Sequence, residues 1–295
     1  MDHRAFIKSL PRDLLRELKT SDNRIGLLHL SGHVGLILFL ATWIAKGWPL
    51  WWAAIAAQGI VICFLFTLEH EATHKTPFAT SELNEWVGRF AGLLIFLPFE
   101  WFRHFHLAHH KFTNIPGKDP ELLSGAKPET RLQYAKYVSG LTYWTGMAGQ
   151  IFSNVISPLS GGYVPKSKAR HIRLEACLML IFYVIASLSL FFSPFLFWVW
   201  LLPILLGQPF LRLYLLAEHG RCAFVANMFE NTRTTYTNRF VRFLAWNMPY
   251  HVEHHSIPQV PFHKLPELHD LMQGKHKAVS NSYSEFTAEF VSDLR

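Results

Sequence analysis

The chain has 295 residues, of which 50 % are apolar, 15 % aromatic and only 17 % charged. An ordinary soluble domain has roughly 25 % charged residues, so this composition indicates a membrane protein. The net charge of +7 would suit either nucleic acid or an anionic membrane surface. Six cations lie before the first long apolar run, which is the positive-inside pattern and excludes a nucleic-acid partner: Arg4, Lys8, Arg12, Arg16, Lys19 and Arg24.

Residues 1–26 do not resemble a cleavable signal peptide, because polar and amphipathic sequence precedes the apolar run. Apolar residues recur there at near-helical spacing, at Phe6, Ile7, Leu10, Leu14, Leu15 and Leu18. The segment is therefore predicted to be a cytoplasmic amphipathic helix on the inner leaflet. A frayed polar tail is the alternative.

Four stretches come close to the roughly 20 mostly apolar residues that a bilayer-spanning helix needs. They are residues 27–45, 50–68, 174–192 and 195–216. The links at 46–49 and 193–194 are too short for anything but hairpins, so both links lie on one side of the membrane. That side carries one cation, Lys46, so the opposite side is predicted to be cytoplasmic.

The remaining sequence predicts one membrane-embedded domain over residues 1–295. Residues 87–99 are too short for a span and suit a re-entrant or interfacial helix, and residues 143–159 suit an interfacial one. Residues 218–295 are polar, aromatic and rich in histidine, which predicts a helical cytoplasmic cap. The expected fold is an all-α integral membrane protein with four transmembrane helices in two hairpins and a cap that carries a histidine-rich site for two metal ions.

Of the 17 histidines, eight form three short clusters and a ninth ends the fourth apolar stretch. The clusters are His70 and His74; His106, His109 and His110; and His251, His254 and His255, with His219 as the ninth residue. Positions i, i+3 and i+4 share a helix face, so each cluster is predicted to present its imidazoles to one point. The other eight are expected to be ordinary surface or hydrogen-bonded side chains: His3, His29, His33, His104, His171, His263, His269 and His276.

Nine imidazoles are too many for one ion, whereas four or five on each of two ions fits the count. An all-imidazole set suits zinc, copper, iron or nickel, so the ligands alone do not select the metal. A zinc hydrolase site uses three protein ligands and would leave most of these histidines idle. A pair of redox metals that activates oxygen uses them better.

The motifs His70-Glu71-Ala72-Thr73-His74, His106-Leu107-Ala108-His109-His110 and His251-Val252-Glu253-His254-His255 resemble the three histidine boxes of membrane fatty-acid desaturases and related hydroxylases. Thr113-Asn114 and Asp119-Pro120 are also similar to that family, and the first box is closer to the acyl-lipid than to the acyl-CoA branch. The resemblance implies two iron ions, O2 as co-substrate, a lipid or other lipophilic substrate, and electrons from a separate ferredoxin or cytochrome b5-like donor.

Within that resemblance, the acyl-CoA branch supports His219 as a further ligand. An asparagine that precedes this histidine by one turn in that branch is Leu215 here, so that role does not carry over. Asn247, one turn before His251, is a candidate substitute, with a helix-capping or core role as the alternative.

Several polar residues near the boxes are candidates for supporting roles. Glu71, Asp119, Glu218 and Glu253 could orient imidazole N–H groups, or could be solvated charges. A basic cytoplasmic face could dock an acidic electron donor, or could simply reflect the positive-inside pattern: Lys111, Lys118, Arg221, Arg233, Arg239 and Arg242. The polar segment 230–235 is expected to be a cap surface or to recognise a polar head group or a small polar substrate.

The boxes do not distinguish desaturation from hydroxylation, and desaturation is preferred on its frequency in the family. A membrane zinc protease is an alternative, because the first box also reads H-E-x-x-H with Glu71 as general base. A metal carrier or a bis-histidine haem cytochrome is a further alternative. The compact chain without a transit peptide suggests a bacterial inner membrane.

Overall fold

The computed structural model describes residues 2–159 and 162–295. Helices dominate this part of the chain, as the sequence predicted. They are α1 His3–Ser9, α2 Arg12–Leu18, α3 Asn23–Ala45, α4 Trp51–Cys63, α5 Leu65–Thr73, α6 Ser81–Ile95, α7 Phe99–Phe112, α8 Pro120–Ser124, α9 Arg131–Val138, α10 Leu141–Ile156, α11 Ala169–Ser189, α12 Leu202–His219, α13 Met228–Asn231, α14 Arg239–Leu244, α15 His251–Ser256, α16 Leu265–Met272 and α17 Tyr283–Ser292. One short parallel pair, β1 Thr234–Thr235 with β2 Val279–Ser280, lies in the cap.

Four helical segments of the described chain are long and apolar enough to cross a membrane: Arg12–Ala45, Trp51–Thr73, Lys166–Ser189 and Phe197–His219. They confirm the four predicted spans, although the first and third begin well before the predicted starts at residues 27 and 174. The apolar windows of the second and fourth spans are 61 % and 50 % buried, against 17 % and 22 % for the first and third. The second and fourth spans therefore form the centre of the bundle, and the other two face lipid along most of their length.

Two glycines allow the central spans to approach closely. A Cβ atom on Gly59 of α4 would lie 1.9 Å from the Pro203 carbonyl oxygen, and one on Gly207 of α12 would lie 2.1 Å from the Gly59 backbone. Such backbone contact between helices requires small residues. The Gln58 side chain also donates to the Val199 carbonyl oxygen at 3.1 Å. The ends of these two spans, which carry His70 and His219, are thereby held next to each other.

The α6 helix ends inside the bundle. Its last carbonyl groups lack partners within the helix, and side chains of other elements supply donors. Tyr183 donates to Leu93 O at 2.9 Å, Trp200 to Leu94 O at 2.8 Å, and Tyr143 to Ile95 O at 2.6 Å. Because Tyr183 and Trp200 belong to spans, the end of α6 lies within the spanning region, and α7 then returns to the cap. This arrangement agrees with a re-entrant rather than an interfacial segment.

The first N-terminal helix packs on the cap, which corrects the alternative of a frayed tail. Phe6 and Leu18 are buried, and the Phe6 ring lies 6.0 Å from that of Phe229 in α13. The Met228 amide donates to His3 Nδ1 at 3.3 Å. The apolar face of α1 therefore contacts the cap, so this helix is not a frayed tail in solvent.

Apart from the exposed Glu230, the polar segment 230–235 is also internal rather than a surface. Asn231, Thr232, Thr234 and Thr235 are all buried. Arg233 donates to the Ala217 and Gly220 carbonyl oxygens at 2.8 and 2.6 Å, and so binds the unpaired carbonyl groups at the end of α12. These residues hold the end of the fourth span against the cap instead of contacting a head group at the surface.

Candidate metal centre

Four helices bring the nine predicted histidines together where the spans meet the cap. His70 lies in α5 with His74 at its end, His219 is the last residue of α12, and α7 and α15 carry three histidines each. Seven of the nine are buried, and His74 and His110 are half-buried. The site is therefore built from segments that are far apart in sequence.

Five of these side chains form a first group: His70, His74, His106, His110 and His254. Donor nitrogens of four of them, all except His74, lie within 4.8 Å of one another. His74 joins them through an Nε2–Nε2 distance of 2.9 Å to His106, and Nε2 of His254 lies 3.2 Å from Nε2 of His110.

The other four form a second group: His109, His219, His251 and His255. Nε2 of His219 lies 3.2 Å from Nε2 of His109 and 3.1 Å from Nε2 of His251. His255 completes the group, with a donor nitrogen within 4.8 Å of those of His109 and His219. The two groups touch where the His110 and His255 rings stack at 4.0 Å.

Each H-x-x-H-H box is divided between the two groups, which corrects the prediction that a box faces one point. At about 100° per residue, position i+4 lies about 40° to one side of position i and position i+3 about 60° to the other. In α7, His106 and His110 accordingly enter the first group and His109 the second. In α15, His251 and His255 enter the second group and His254 the first. Both helices therefore tie the two groups together.

The spacing of the donor atoms fits two metal ions. Two imidazole nitrogens bound at right angles to one ion, each at about 2.1 Å, lie about 3 Å apart. The closest Nε2–Nε2 distances within each group are 2.9–3.2 Å. Nε2 of His255 is buried without a hydrogen-bond partner among the described residues, as a ligand nitrogen facing an ion would be. The residues present thus suit two imidazole-bound ions, one in each group.

Most imidazoles of the site outside the spans have a lowered pKa, which favours the neutral form that metal binding requires. Burial, together with the neighbouring His109, lowers the pKa of His254 to about 3. Burial and nearby imidazoles also hold the pKa values of five others well below the ordinary range: His74, His106, His110, His251 and His255. His109 differs, because the Glu121 and Asp119 carboxylates outweigh burial and raise its pKa.

Hydrogen bonds fix the orientation of the second group. Nδ1 of His109 donates to the Asp119 carboxylate at 2.9 Å, and Nδ1 of His219 donates to the Asn231 carbonyl oxygen at 3.2 Å. Nδ1 of His255 lies 3.1 Å from the Thr113 hydroxyl. When Nδ1 carries the proton, the Nε2 lone pair is left for a metal, and such partners fix the tautomer and the ring angle.

Two further predicted carboxylates approach box histidines at longer range. Glu218 Oε1 lies 3.4 Å from His251 Nδ1, and Glu71 Oε1 lies 3.4 Å from His254 Nδ1. The second oxygen of Glu71 accepts hydrogen bonds from the Thr76 hydroxyl and the Phe262 amide. Glu71 is thus a fixed acceptor behind His254 rather than a group that faces the space between the imidazoles.

The remaining two candidates have partners outside the two groups. Glu253 accepts hydrogen bonds from His269, His276 and Thr234. Burial would raise its pKa, but these hydrogen bonds lower it to about 2. Asn247 is half-buried and donates to the Phe262 carbonyl oxygen at 3.0 Å, a structural hydrogen bond outside the two groups.

The two histidines of the first span also have structural partners. His29 Nε2 lies 2.8 Å from the Phe243 carbonyl oxygen. His33 Nε2 lies 2.9 Å from the Val61 carbonyl oxygen, and its Nδ1 accepts from the Trp246 indole at 3.2 Å. They fasten α3 to α4 and to the cap, so their hydrogen bonds give no support to haem ligation.

Three contributors to the site, Thr113, Asn231 and Arg233, were not predicted as site residues. Asn231 donates through Nδ2 to the Thr113 and Val225 carbonyl oxygens. Its own carbonyl oxygen accepts a hydrogen bond from His219 Nδ1. Thr113 was noted only as part of the family pattern, and Arg233 only as a surface cation. The unusual polarity of segment 230–235 was the one signal in the sequence that marked Asn231 and Arg233.

Comparison with known proteins agrees with this geometry. The sequence profile described as "Fatty acid desaturase" matches residues 46–287, which include all nine histidines. The chain belongs to the fatty acid desaturase family. It is an oxidoreductase of that family and an integral membrane protein.

Similar proteins within the family act on sphingolipids according to their names. The sphingolipid delta(4)-desaturase/C4-monooxygenase DES2 of Mus musculus is 29 % identical over 239 residues, covering 78 % of this chain and 69 % of that protein. The Homo sapiens protein of the same name is 28 % identical over 241 residues, with the same coverage. The sphingolipid delta(4)-desaturase DES1-like of Oryza sativa subsp. japonica is 27 % identical over 214 residues, covering 70 % of this chain and 59 % of its own length.

Proposed function

We propose that this protein oxidises an unactivated C–H bond of a sphingolipid, introducing a double bond or a hydroxyl group. The two histidine groups, with donor spacings of 2.9–3.2 Å, are the observation that carries the chemistry. The sphingolipid substrate rests on the names of the similar proteins, one of which includes both a desaturase and a monooxygenase activity. Fatty-acyl desaturation of another lipid is the second candidate.

The five-histidine and four-histidine groups would each hold one iron ion. When bound, this pair supplies the activation of O2 that removal of hydrogen from an unreactive carbon requires. The histidines bind the metal, and Asp119, Thr113 and the Asn231 carbonyl keep three rings of the second group in their binding tautomer. Burial of the site excludes water that would otherwise compete for a reactive centre.

The protease alternative lacks support in the position of Glu71. A general base must face the metal-bound water, within hydrogen-bond reach. Here one Glu71 oxygen is held by Thr76 and Phe262, and the other lies behind His254. In addition, His70 and His74 share their group with histidines of both other boxes, which a zinc protease site would not use.

Electrons would come from a separate ferredoxin or cytochrome b5-like protein that docks on the cap. Lys111, Lys118 and Arg239 are exposed and suit an acidic partner. Of the other predicted docking cations, Arg221 pairs with Asp293, Arg233 binds the end of α12, and Arg242 donates to Tyr250.

We place the cap, both described ends of the chain and the metal site on the cytoplasmic side, because the opposite links carry only Lys46 as a cation. The similar proteins named above come from mammals and a plant, so they give no support to a bacterial inner membrane. A reporter fused after Arg295 should be active only when the reporter functions in the cytoplasm.

The proposal can be tested in an expression host that is supplied with a sphingolipid. The long-chain base of this sphingolipid is saturated, and the lipids of the host are then analysed. Mass spectrometry should show a product lighter by two hydrogens or heavier by one oxygen. His109→Ala should abolish the product, whereas His171→Ala, which changes an exposed histidine outside the site, should not. If only fatty acids were oxidised, the sphingolipid proposal would be wrong and the second candidate, fatty-acyl desaturation of another lipid, would take its place. An equal amount of product from the His109→Ala variant would refute the metal site.

A further inference from the structure

A cleft of about 770 Å³ lies between the spans and the cap. Residues of α4 and α12 form one wall, and residues of α14 and α17 form the other. None of the lining residues in the described part of the chain is charged. The volume is in the range of roughly 300–1,000 Å³ that holds a small ligand. An apolar cleft of this size at a seam between helices can accept an aliphatic chain.

The mouth of the cleft faces the bilayer. Phe210 on α12 is 50 % exposed, and Phe240 on the opposite wall is 59 % exposed. Phe210 belongs to the fourth apolar span, so its exposed side suits contact with lipid hydrocarbon. Large apolar side chains on both sides of the opening favour a lipid chain over a water-soluble molecule as the occupant of the cleft.

The inner wall of the cleft lies near both histidine groups and is connected to each through an intermediate residue. Tyr214 lines it and lies one turn before Glu218, whose Oε1 is 3.4 Å from His251 Nδ1. Leu244 also lines it, and its carbonyl oxygen lies 3.3 Å from the Thr67 hydroxyl, one turn before the first histidine of α5. The lining is therefore connected to each group through one intermediate residue, Glu218 for the second group and Thr67 for the first.

Tyr214 places a buried polar group in this apolar space. It is 3 % exposed, its ring lies 5.2 Å from that of Tyr283, and its phenol interacts electrostatically with Tyr283 and Glu218. A buried hydroxyl beside an apolar chain gains from a polar group that comes within hydrogen-bond reach, because it has left water.

We propose that this cleft is the side entrance through which a lipid chain passes from the bilayer to the metal centre, and that the Tyr214 hydroxyl binds a polar group of that lipid. The proposal rests on the proposed function, since it assumes a lipid substrate. Tyr214 is a positioning residue: by fixing the polar group, it determines which carbon lies next to the metal centre.

Photolabelling tests the entrance. The full chain in lipid nanodiscs receives a sphingolipid with a saturated base and a diazirine in its acyl chain, and the labelled peptides are mapped by mass spectrometry. Labels should fall on α12 and α17. Ala288→Trp, which fills the cleft from α17, should reduce labelling about tenfold, equal to a loss of about 1.4 kcal/mol in binding. Glu289→Trp, on the same helix outside the lining, is the matched control.

Labels confined to other surfaces, or labelling that Ala288→Trp leaves unchanged, would overturn the entrance. Labelling does not require turnover, so the two proposals fail separately. A labelled cleft without oxidised lipid would refute the proposed function and leave the entrance supported. Oxidised lipid without labels in the cleft would refute the entrance alone.

Tyr214→Phe tests the positioning role. It removes only the hydroxyl, so cleft labelling should persist while the new double bond or hydroxyl becomes distributed over neighbouring carbons. Fragmentation of the product lipid measures that distribution, which a merely structural role would not move. A single product position identical to that of the unaltered protein would overturn the role of Tyr214.

Discussion

At the residue scale, Asp119 shows how the surroundings prepare a histidine for a metal. Its carboxylate accepts from His109 Nδ1 at 2.9 Å and from the Asn114 amide at 2.7 Å, and it also caps α8 through the Glu121 amide. Those backbone hydrogen bonds fix the carboxylate, and the carboxylate in turn fixes the His109 ring.

Asp119→Asn should therefore weaken the second group more than it weakens the fold. The amide can still accept hydrogen bonds but loses the negative charge, and losing such a partner typically costs 10–100-fold in metal affinity or activity, a rough range. Titration of iron into metal-free protein measures the affinity. Asp13→Asn, at a fully exposed carboxylate of α2, is the control, and equal affinities for the two variants would contradict the role assigned to Asp119.

Glu100 is a buried carboxylate that stabilises the fold through a network of ion pairs. It lies 3.0 Å from Arg89, 3.2 Å from Arg103 and 3.1 Å from Lys168. Burial opposes its charge, but these cations outweigh burial and hold the pKa of Glu100 below its ordinary value of 4.5. Because the folded pKa is lowered, the stabilisation is present above about pH 4.5 and is lost as the pH falls below it.

Glu100→Gln should lower the free energy of unfolding by about 3 kcal/mol at pH 7, since it removes the charge of a buried carboxylate that Arg89, Arg103 and Lys168 share. The difference from the unaltered protein should shrink as the pH falls below 4.5. Thermal unfolding of the metal-free protein in detergent measures this, with exposed Glu17→Gln as the control. A difference that stays constant from pH 7 to pH 3.5 would show that the charge of Glu100 is not the cause.

The sequence predicted the histidines of the site better than the residues that hydrogen-bond to them. The histidines could be found because their i, i+3 and i+4 spacing is visible within single helices. The hydrogen-bond partner of each ring could not be found in this way, because the partners lie on other segments of the chain. Asn231 bonds to His219 from beyond a loop, and Thr113 at the end of α7 lies next to His255 in α15. Even the spacing rule was incomplete: it places three imidazoles on one face but does not say that they divide between two ions.

At the element scale, the contact between α4 and α12 sets the distance between two ligand-bearing helices. Gly207→Ala would place a Cβ atom 2.1 Å from the Gly59 backbone, so the helices must separate. Overpacking of this kind costs about 1–3 kcal/mol. We expect a lower unfolding temperature together with reduced iron content, because α5 and His219 would shift relative to each other.

Gly35→Ala in α3 is the matched control, because a Cβ atom there meets nothing within 4 Å. It should leave both the unfolding temperature and the iron content close to those of the unaltered protein. Full iron content in Gly207→Ala would contradict the claim that this contact positions the site.

The spans could be predicted because continuous apolar sequence is a local signal. The packing of the N-terminal helices could not be predicted from the sequence. The amphipathic face that buries Phe6 against the cap would also suit a membrane surface. The strand pair β1–β2 was missed because two residues on each side are too few to show a period.

At the scale of the whole molecule, two buried spans carry the cap, and the cap closes the site over their ends. No single helix supplies a complete set of ligands: each histidine group draws on three or more of the segments α5, α7, α12 and α15. The four-span topology and the clustering of histidines on one side followed from the sequence, whereas the division into five and four ligands required the folded chain.

Iron content per chain is the most direct test of the central claim that the two histidine groups hold two iron ions. Elemental analysis of protein purified in detergent after expression with added iron should give about two irons per chain, following the two groups of nitrogen donors. One zinc per chain without iron, or no bound metal, would contradict the account.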